Sequence, residues 1–210
     1  METQVFFGKL SQKTENLLTS PLVTDKILCV KATTALTVLI IGKVLIMKKS
    51  VYIETTIPSF AVSRLSRDTI VAGQQVATNL FWETERQNYD FYVSQYVIDE
   101  CSQGDPKLAE RRLAFLKDIP VIPKSEQVSE LAGQYKRLLN IPDRSIIDSF
   151  HLAVCVVAQI DYLLSWNCAH LGIHTYARVQ KYNDACGLFT PLLLTPEALT
   201  GIHQSEDNYD

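Results

Sequence analysis

From Met47 onward, apolar positions switch repeatedly between short continuous runs and helical spacing, and each switch marks an element. Val51-Tyr52-Ile53 predicts a first strand, and Glu54-Thr55-Thr56-Ile57-Pro58 leads from it into a polar stretch. A helix is predicted near residues 68–87, with Ile70, Gly73, Ala77, Leu80 and Phe81 spaced to form its buried face. Asp90 opens a second strand over 91–94, followed by a short helix around 96–103. Gly104-Asp105-Pro106 ends that helix, and Pro106 is placed to start the next, over 107–117, because the first helical position needs no N–H donor. A third strand is predicted at 119–122. Ser125 then opens a helix whose buried face carries Leu131, Tyr135 and Leu138, and Ile141-Pro142-Asp143 is a turn.

The stretch 145–160 is apolar nearly all round, with Ile146, Ile147, Phe150, Leu152, Ala153, Val154, Val156 and Val157, as expected of a helix packed inside the molecule. A strand at 162–165, a polar helical stretch to about 185, and a last strand at 188–194 follow. Thr195-Pro196-Glu197 caps a final short helix. Strands alternating with helices predict an α/β fold: three layers, α/β/α, around a central parallel sheet. The chain shows no internal repeat, low-complexity segment or interdomain linker.

The first 46 residues follow a different pattern. Residues 1–31 mix charges with scattered apolar positions, and Ala32 to Ile46 is then strongly apolar. Lys31 and Lys43 leave eleven uncharged residues between them, against the roughly 20 needed to span a bilayer. The apolar run begins too late for a signal peptide, and no small-residue cleavage site follows it. Met47-Lys48-Lys49-Ser50-Val51 looks like a fresh start. The reading is an extension at 1–46 that the domain does not require, a domain at 47–201 and a polar tail at 202–210. A weak membrane-binding or partner-binding segment is the alternative for 1–46.

Composition narrows the class further. Of 210 residues, 47% are hydrophobic and 20% charged, in the range of a folded globular protein. A net charge of −3 argues against extended nucleic-acid contacts and for a small footprint in any nucleic-acid chemistry. Five cysteines, odd in number and without a C-x-x-C pair, favour a reducing compartment, here the cytoplasm.

Four polar residues fall where strands give way to helices: Glu54, Glu100, Asp148 and Asn167. In a parallel α/β sheet all strand carboxyl ends lie along one edge, where ligands bind, so these residues are expected to meet in one acidic pocket. Three carboxylates and an amide are oxygen donors suited to Mg²⁺ or Mn²⁺. Asp148 is the most telling, because a carboxylate in an apolar helix is costly unless paired, hydrogen-bonded or metal-bound. Its alternative role is as part of a cap with Ser145. Asp99 stands beside Glu100 as an equal candidate.

Val51-Tyr52-Ile53-Glu54-Thr55-Thr56, Val97-Ile98-Asp99-Glu100, Ile147-Asp148-Ser149-Phe150-His151-Leu152-Ala153 and Leu163-Leu164-Ser165-Trp166-Asn167 resemble the successive motifs of a PIN domain. Tyr-Ile-Glu-Thr-Thr-Ile-Pro-Ser and Ser-Trp-Asn-Cys resemble a subgroup of toxins of the VapC type. The resemblance runs from about Met47 to Gly201. It implies a small α/β/α domain, Mg²⁺- or Mn²⁺-dependent cleavage of RNA, a cognate antitoxin and homodimerisation. By the same resemblance, Glu54, Glu100 and Asp148 take the acidic positions, Thr55 and Thr56 support them, and Asn167 stands where many members carry a fourth acid.

The expected function is therefore a metal-dependent endoribonuclease, the toxin of a type II toxin–antitoxin pair, with Glu54, Glu100 and Asp148 as metal ligands and Asn167 orienting water or phosphate. The alternative is a catalytically weak PIN-like module acting through partner binding. Cys168, His170 and His174 lack a further ligand at zinc-binding spacing and read as a surface helix. His151 reads as a satisfied near-core histidine. Arg64, Arg67, Arg144 and Arg178 read as surface charges. No phosphate-binding loop, dinucleotide fingerprint or nucleophile elbow occurs.

Overall fold

Strand β1 (Lys49–Ile53) lies in the middle of a five-stranded sheet, between β2 (Tyr89–Ser94) and β4 (Tyr162–Leu164), with β3 (Val121–Ile122) beyond β2 and β5 (Leu192–Leu194) beyond β4. All neighbours run parallel. Val51 stands opposite both Phe91 and Tyr162, and Tyr52 opposite Tyr92 and Leu163. The computed structural model describes residues 48–140, 146–167 and 173–206, with the backbone alone at 173–175 and 203–206. These residues fall in one unit, Lys48–Asp210. The stretch 1–46, the Ile141-Pro142-Asp143 turn, Arg144, Ser145, and Cys168 and His170 lie outside the described residues, as does the His174 side chain.

Successive side chains of a strand point to opposite faces, yet Val51, Tyr52 and Ile53 are all fully buried. Both faces of β1 are therefore covered, which is why its apolar run is continuous rather than alternating. The helices among the described residues are α1 (Thr56–Val62), α2 (Thr69–Glu85), α3 (Gln95–Cys101), α4 (Pro106–Leu116), α5 (Glu126–Leu139), α6 (Ile146–Val157), α7 (Ile173–Cys186) and α8 (Pro196–Glu206). Helix α5 packs on α6 and α7, α2 on α8, and α1 on α2 and α4. The expected α/β class with a parallel central sheet is what the chain forms.

Local chemistry sets the helix ends. Asp68 accepts from the Ile70 and Val71 N–H groups, Ser94 from Val97, Asp105 from Leu108, and Ser125 from Val128. Each such cap stabilises its helix by about 0.5–2 kcal/mol. Pro106 is the first residue of α4, as predicted. Helix α5 stops at Asn140, which takes a left-handed conformation with φ of 52°.

Three expectations need correction. The predicted buried face of the second helix is largely exposed: Ile70, Gly73 and Leu80 face solvent, and of that set only Phe81 is buried. The inward face instead carries Gln75, Thr78, Phe81 and Glu85. Their polar groups are satisfied, for Gln75 bonds the Ser66 N–H and the Arg64 carbonyl, and Asn88 donates to Glu85. The polar stretch after Glu54 is helix α1, which tolerates Pro58 because first-turn N–H groups need no helical partner. Strand β5 begins at Leu192 rather than 188, since Asn183 engages the segment before it. The Asn183 carbonyl accepts the Leu188 N–H, and its side-chain amide donates to the Phe189 carbonyl and the Thr190 hydroxyl.

Candidate functional site

The strand order reverses at β1, with β2 and β3 on one side and β4 and β5 on the other. Such a reversal leaves a crevice outside the carboxyl ends of the two diverging strands. Glu54 is the first residue after β1, and its N–H donates to the Leu164 carbonyl at 3.1 Å, continuing the pairing to the end of β4. Ser165, Trp166 and Asn167 leave β4 directly beside it.

The Glu54 side chain is buried and Oε2 accepts three hydrogen bonds: from the Thr56 N–H at 3.0 Å, the Thr56 hydroxyl at 2.5 Å and the Ser165 hydroxyl at 2.8 Å. Thr56 Oγ1 in turn accepts the Trp166 N–H at 3.0 Å, while the Trp166 indole donates to Thr78 at 2.8 Å. Ser165 Oγ accepts the Asn167 N–H at 2.9 Å, and the Asn167 amide donates to Asp148 Oδ1 at 2.8 Å. An unbroken path of hydrogen bonds thus runs Glu54–Ser165–Asn167–Asp148, across the end of β1, the end of β4 and the first turn of α6. Asp148 is buried there, near the positive end of the helix dipole.

Glu100 joins from another direction. It does not sit at the strand–helix handover that the sequence suggested but in the last turn of α3, six residues beyond β2. The helix is short enough to keep it at the same edge, where Oε2 accepts from the Thr55 hydroxyl at 2.7 Å and lies 3.0 Å from His151 Nε2. Burial tends to raise the Glu100 carboxyl, but the bond from His151, the attraction of that ring and the bond from Thr55 outweigh it, holding the carboxyl below its ordinary value. Asp99 turns the other way, pairing with Lys124 at 2.6 Å and Gln95 at 2.8 Å on the surface. Of the two adjacent acids, Glu100 is the one at the edge.

The edge therefore brings together Glu54, Glu100, Asp148 and Asn167, with Thr55 and Thr56 as supporting hydroxyls. Their donor chemistry, carboxylate and amide oxygen, suits a hard divalent cation. The arrangement is that of a hydrogen-bonded cluster: among the described residues no three Asp, Glu, His or Cys side chains are disposed to hold a metal ion between them. Asn167 is seen anchoring Asp148.

Ser165, Tyr52 and Ser94 were missed in the sequence. Tyr52 bonds Ser94 at 2.7 Å and His151 Nδ1 at 2.8 Å, and burial pushes its hydroxyl far above its ordinary value. The signal for Ser165 was its place at a strand end beside Asn167; Tyr52 and Ser94 read as ordinary strand residues. Arg178 bonds the Leu138 carbonyl near the end of α5. Cys101, Cys155 and Cys186 are free thiols. No helix among the described residues is long and apolar enough to cross a membrane.

The described residues form a parallel five-stranded sheet flanked by helices, the α/β class expected from the sequence. No family model matches the chain, and no curated protein matches it. Among solved structures, that of VapBC2 from Rickettsia felis bound to a DNA fragment from their promoter is similar at 13% identity, covering 70% of this chain and 98% of that chain with a TM-score of 0.47.

Proposed function

We propose that this protein is a divalent-metal-dependent endoribonuclease whose active edge is formed by Glu54, Glu100, Asp148 and Asn167. The observation that carries the reading is the continuous hydrogen-bonded path joining Glu54 to Asp148 through Ser165 and Asn167, at the reversal point of a parallel sheet. Two buried acids from distant parts of the chain, each held by dedicated donors, are costly to maintain for packing alone.

Glu54, Glu100 and Asp148 are the residues that would hold Mg²⁺ or Mn²⁺. When bound, the ion supplies Lewis-acid polarisation of a phosphodiester and a water of lowered pKa. The chain's own residues prepare the place. Thr56 and Ser165 fix the Glu54 carboxylate, Thr55 fixes Glu100, and the Asn167 amide fixes Asp148. Three carboxylates at one edge repel a polyanion, so RNA approach depends on charge neutralisation at that edge.

The motif resemblance extends the reading to a cytoplasmic toxin of the VapC type, working as a homodimer and restrained by a small cognate antitoxin. A basic side chain of such a partner, laid over the acidic edge, would pair with these carboxylates. The absence of a three-ligand cluster among the described residues favours a second reading, a catalytically weak module that acts by binding a partner.

Purified wild type and Asp148→Asn, compared on RNA and on DNA of the same sequence with Mg²⁺, Mn²⁺ or EDTA, separate the two. The proposal expects cleavage of RNA by wild type in either metal, none in EDTA and none by Asp148→Asn. Equal cleavage by both proteins would remove Asp148 from the site, and no cleavage by either supports the binding module.

A further inference from the structure

We propose that His151 is a positioning residue that sets the Glu100 carboxylate against the rest of the acidic edge; the inference rests on the nuclease reading above. His151 is fully buried, yet both ring nitrogens are engaged by groups from different elements. Nε2 lies 3.0 Å from Glu100 Oε2 at the end of α3, and Nδ1 lies 2.8 Å from the Tyr52 hydroxyl on β1. The Tyr52 hydroxyl is also 2.7 Å from Ser94 Oγ, the residue that caps α3 at its other end. One side chain on α6, a single turn after Asp148, therefore ties together the strand leading to Glu54 and both ends of the helix bearing Glu100.

An ionised carboxylate accepts only, so Nε2 carries the proton that faces Glu100. Nδ1 bonds the Tyr52 hydroxyl and that hydroxyl bonds Ser94, so Ser94, Tyr52, His151 and Glu100 form one hydrogen-bonded chain that fixes the ring and the carboxylate together. Turning Glu100 away would leave a ring N–H without an acceptor in a place that water does not reach. Thr55 adds a second donor to the same Glu100 oxygen, so the carboxylate is fixed from the β1 side and from the α6 side at once. Packing alone would be served by an apolar side chain, whereas a ring satisfied at both nitrogens supplies orientation.

The test has a metal-free arm and a metal arm. In uniformly ¹⁵N-labelled protein without added metal, His151 should show a slowly exchanging Nε2–H, and Glu100→Gln should shift that ring signal. A ring proton in fast exchange, or one indifferent to Glu100→Gln, overturns the inference. In the second arm Mn²⁺ alone is titrated by calorimetry into wild type, His151→Gln and Tyr52→Phe, each checked for folding by circular dichroism. His151→Gln should bind Mn²⁺ about 10–100-fold more weakly, the usual effect of removing a residue that orients a ligand. Tyr52→Phe, which keeps the ring and deletes one hydroxyl, should bind several-fold more weakly and supplies the comparison if His151→Gln does not fold. Wild-type binding with both variants unchanged overturns this inference alone. Wild type that binds no Mn²⁺ overturns the nuclease reading itself.

Discussion

Replacing Thr56 by valine deletes one hydroxyl while keeping the shape of the side chain, and that hydroxyl makes two bonds at the acidic edge. It donates to Glu54 Oε2 at 2.5 Å and accepts the Trp166 N–H at 3.0 Å. A hydrogen bond to a charged group contributes about 1.5–3 kcal/mol, and an orphaned interior donor costs about 1–3 kcal/mol. Glu54 retains donors from the Thr56 N–H and Ser165, and Thr56 is only half-buried, so water recovers part of the loss. The net destabilisation should be about 2–3 kcal/mol, around the lower limit of the summed range. In a chain of this size each kcal/mol moves Tm by about 2–4 °C, so Tm should fall by about 4–12 °C. Urea unfolding should show a lower midpoint with an unchanged slope, because the surface exposed on unfolding is the same. Thr56→Ser keeps the hydroxyl and should lose less than about 1 kcal/mol, the worth of one partly buried methyl. Valine within about 0.5 kcal/mol of wild type, the scatter of an inert surface change, would refute the reasoning. So would serine as damaging as valine, which would make the loss one of packing.

Phe81→Ala should cost about 3–5 kcal/mol, since Phe81 is buried, whereas Ile70→Ser on the exposed side of the same helix should stay within about 0.5 kcal/mol in chemical denaturation. Tyr135→Phe should cost about 1–2 kcal/mol by the same measurement, because it leaves the buried Asn183 Oδ1 without its 2.6 Å donor. Asp161 joins the starts of β4 and β1 by accepting from Lys49 Nζ and from the Ser50 N–H and hydroxyl. Burial alone would raise its carboxyl, but these donors hold it below its ordinary 3.8; its stabilisation is complete above that value and is lost as pH falls through the lower folded value. Tm measured against pH should therefore drop less steeply on the acid side in Asp161→Asn than in wild type, and parallel curves would contradict this.

The sheet was legible because its strands carry short apolar runs bounded by polar residues or proline, as in Ser50-Val51-Tyr52-Ile53-Glu54 and Pro120-Val121-Ile122-Pro123. Strand ends were less so where a side chain intervenes: Asn183 draws 188–190 away from β5 by bonds that no local period encodes. Helix α2 misled for the opposite reason, since its buried polar face is supported by partners as remote as Trp166 and by the loop at Arg64 and Ser66. At the acidic edge, Glu54, Asp148 and Asn167 could be picked out as polar residues at the boundaries of apolar segments. Glu100 could not be separated from Asp99, because only the packing of α3 decides which of two neighbouring acids faces Thr55 and His151. The partnership of Ser165 with Glu54 depends on β4 lying next to β1, a property of strand order rather than of either segment.

The most direct measurement of the central claim is a crystal structure of the protein soaked in Mn²⁺, with anomalous data collected to locate the ion. The account predicts a Mn²⁺ peak at the carboxyl edge of β1 and β4, ligated by Glu54 and Asp148 with Glu100 beside them. Saturating Mn²⁺ that leaves no peak there, with the Glu54–Ser165–Asn167–Asp148 path undisturbed, would contradict it.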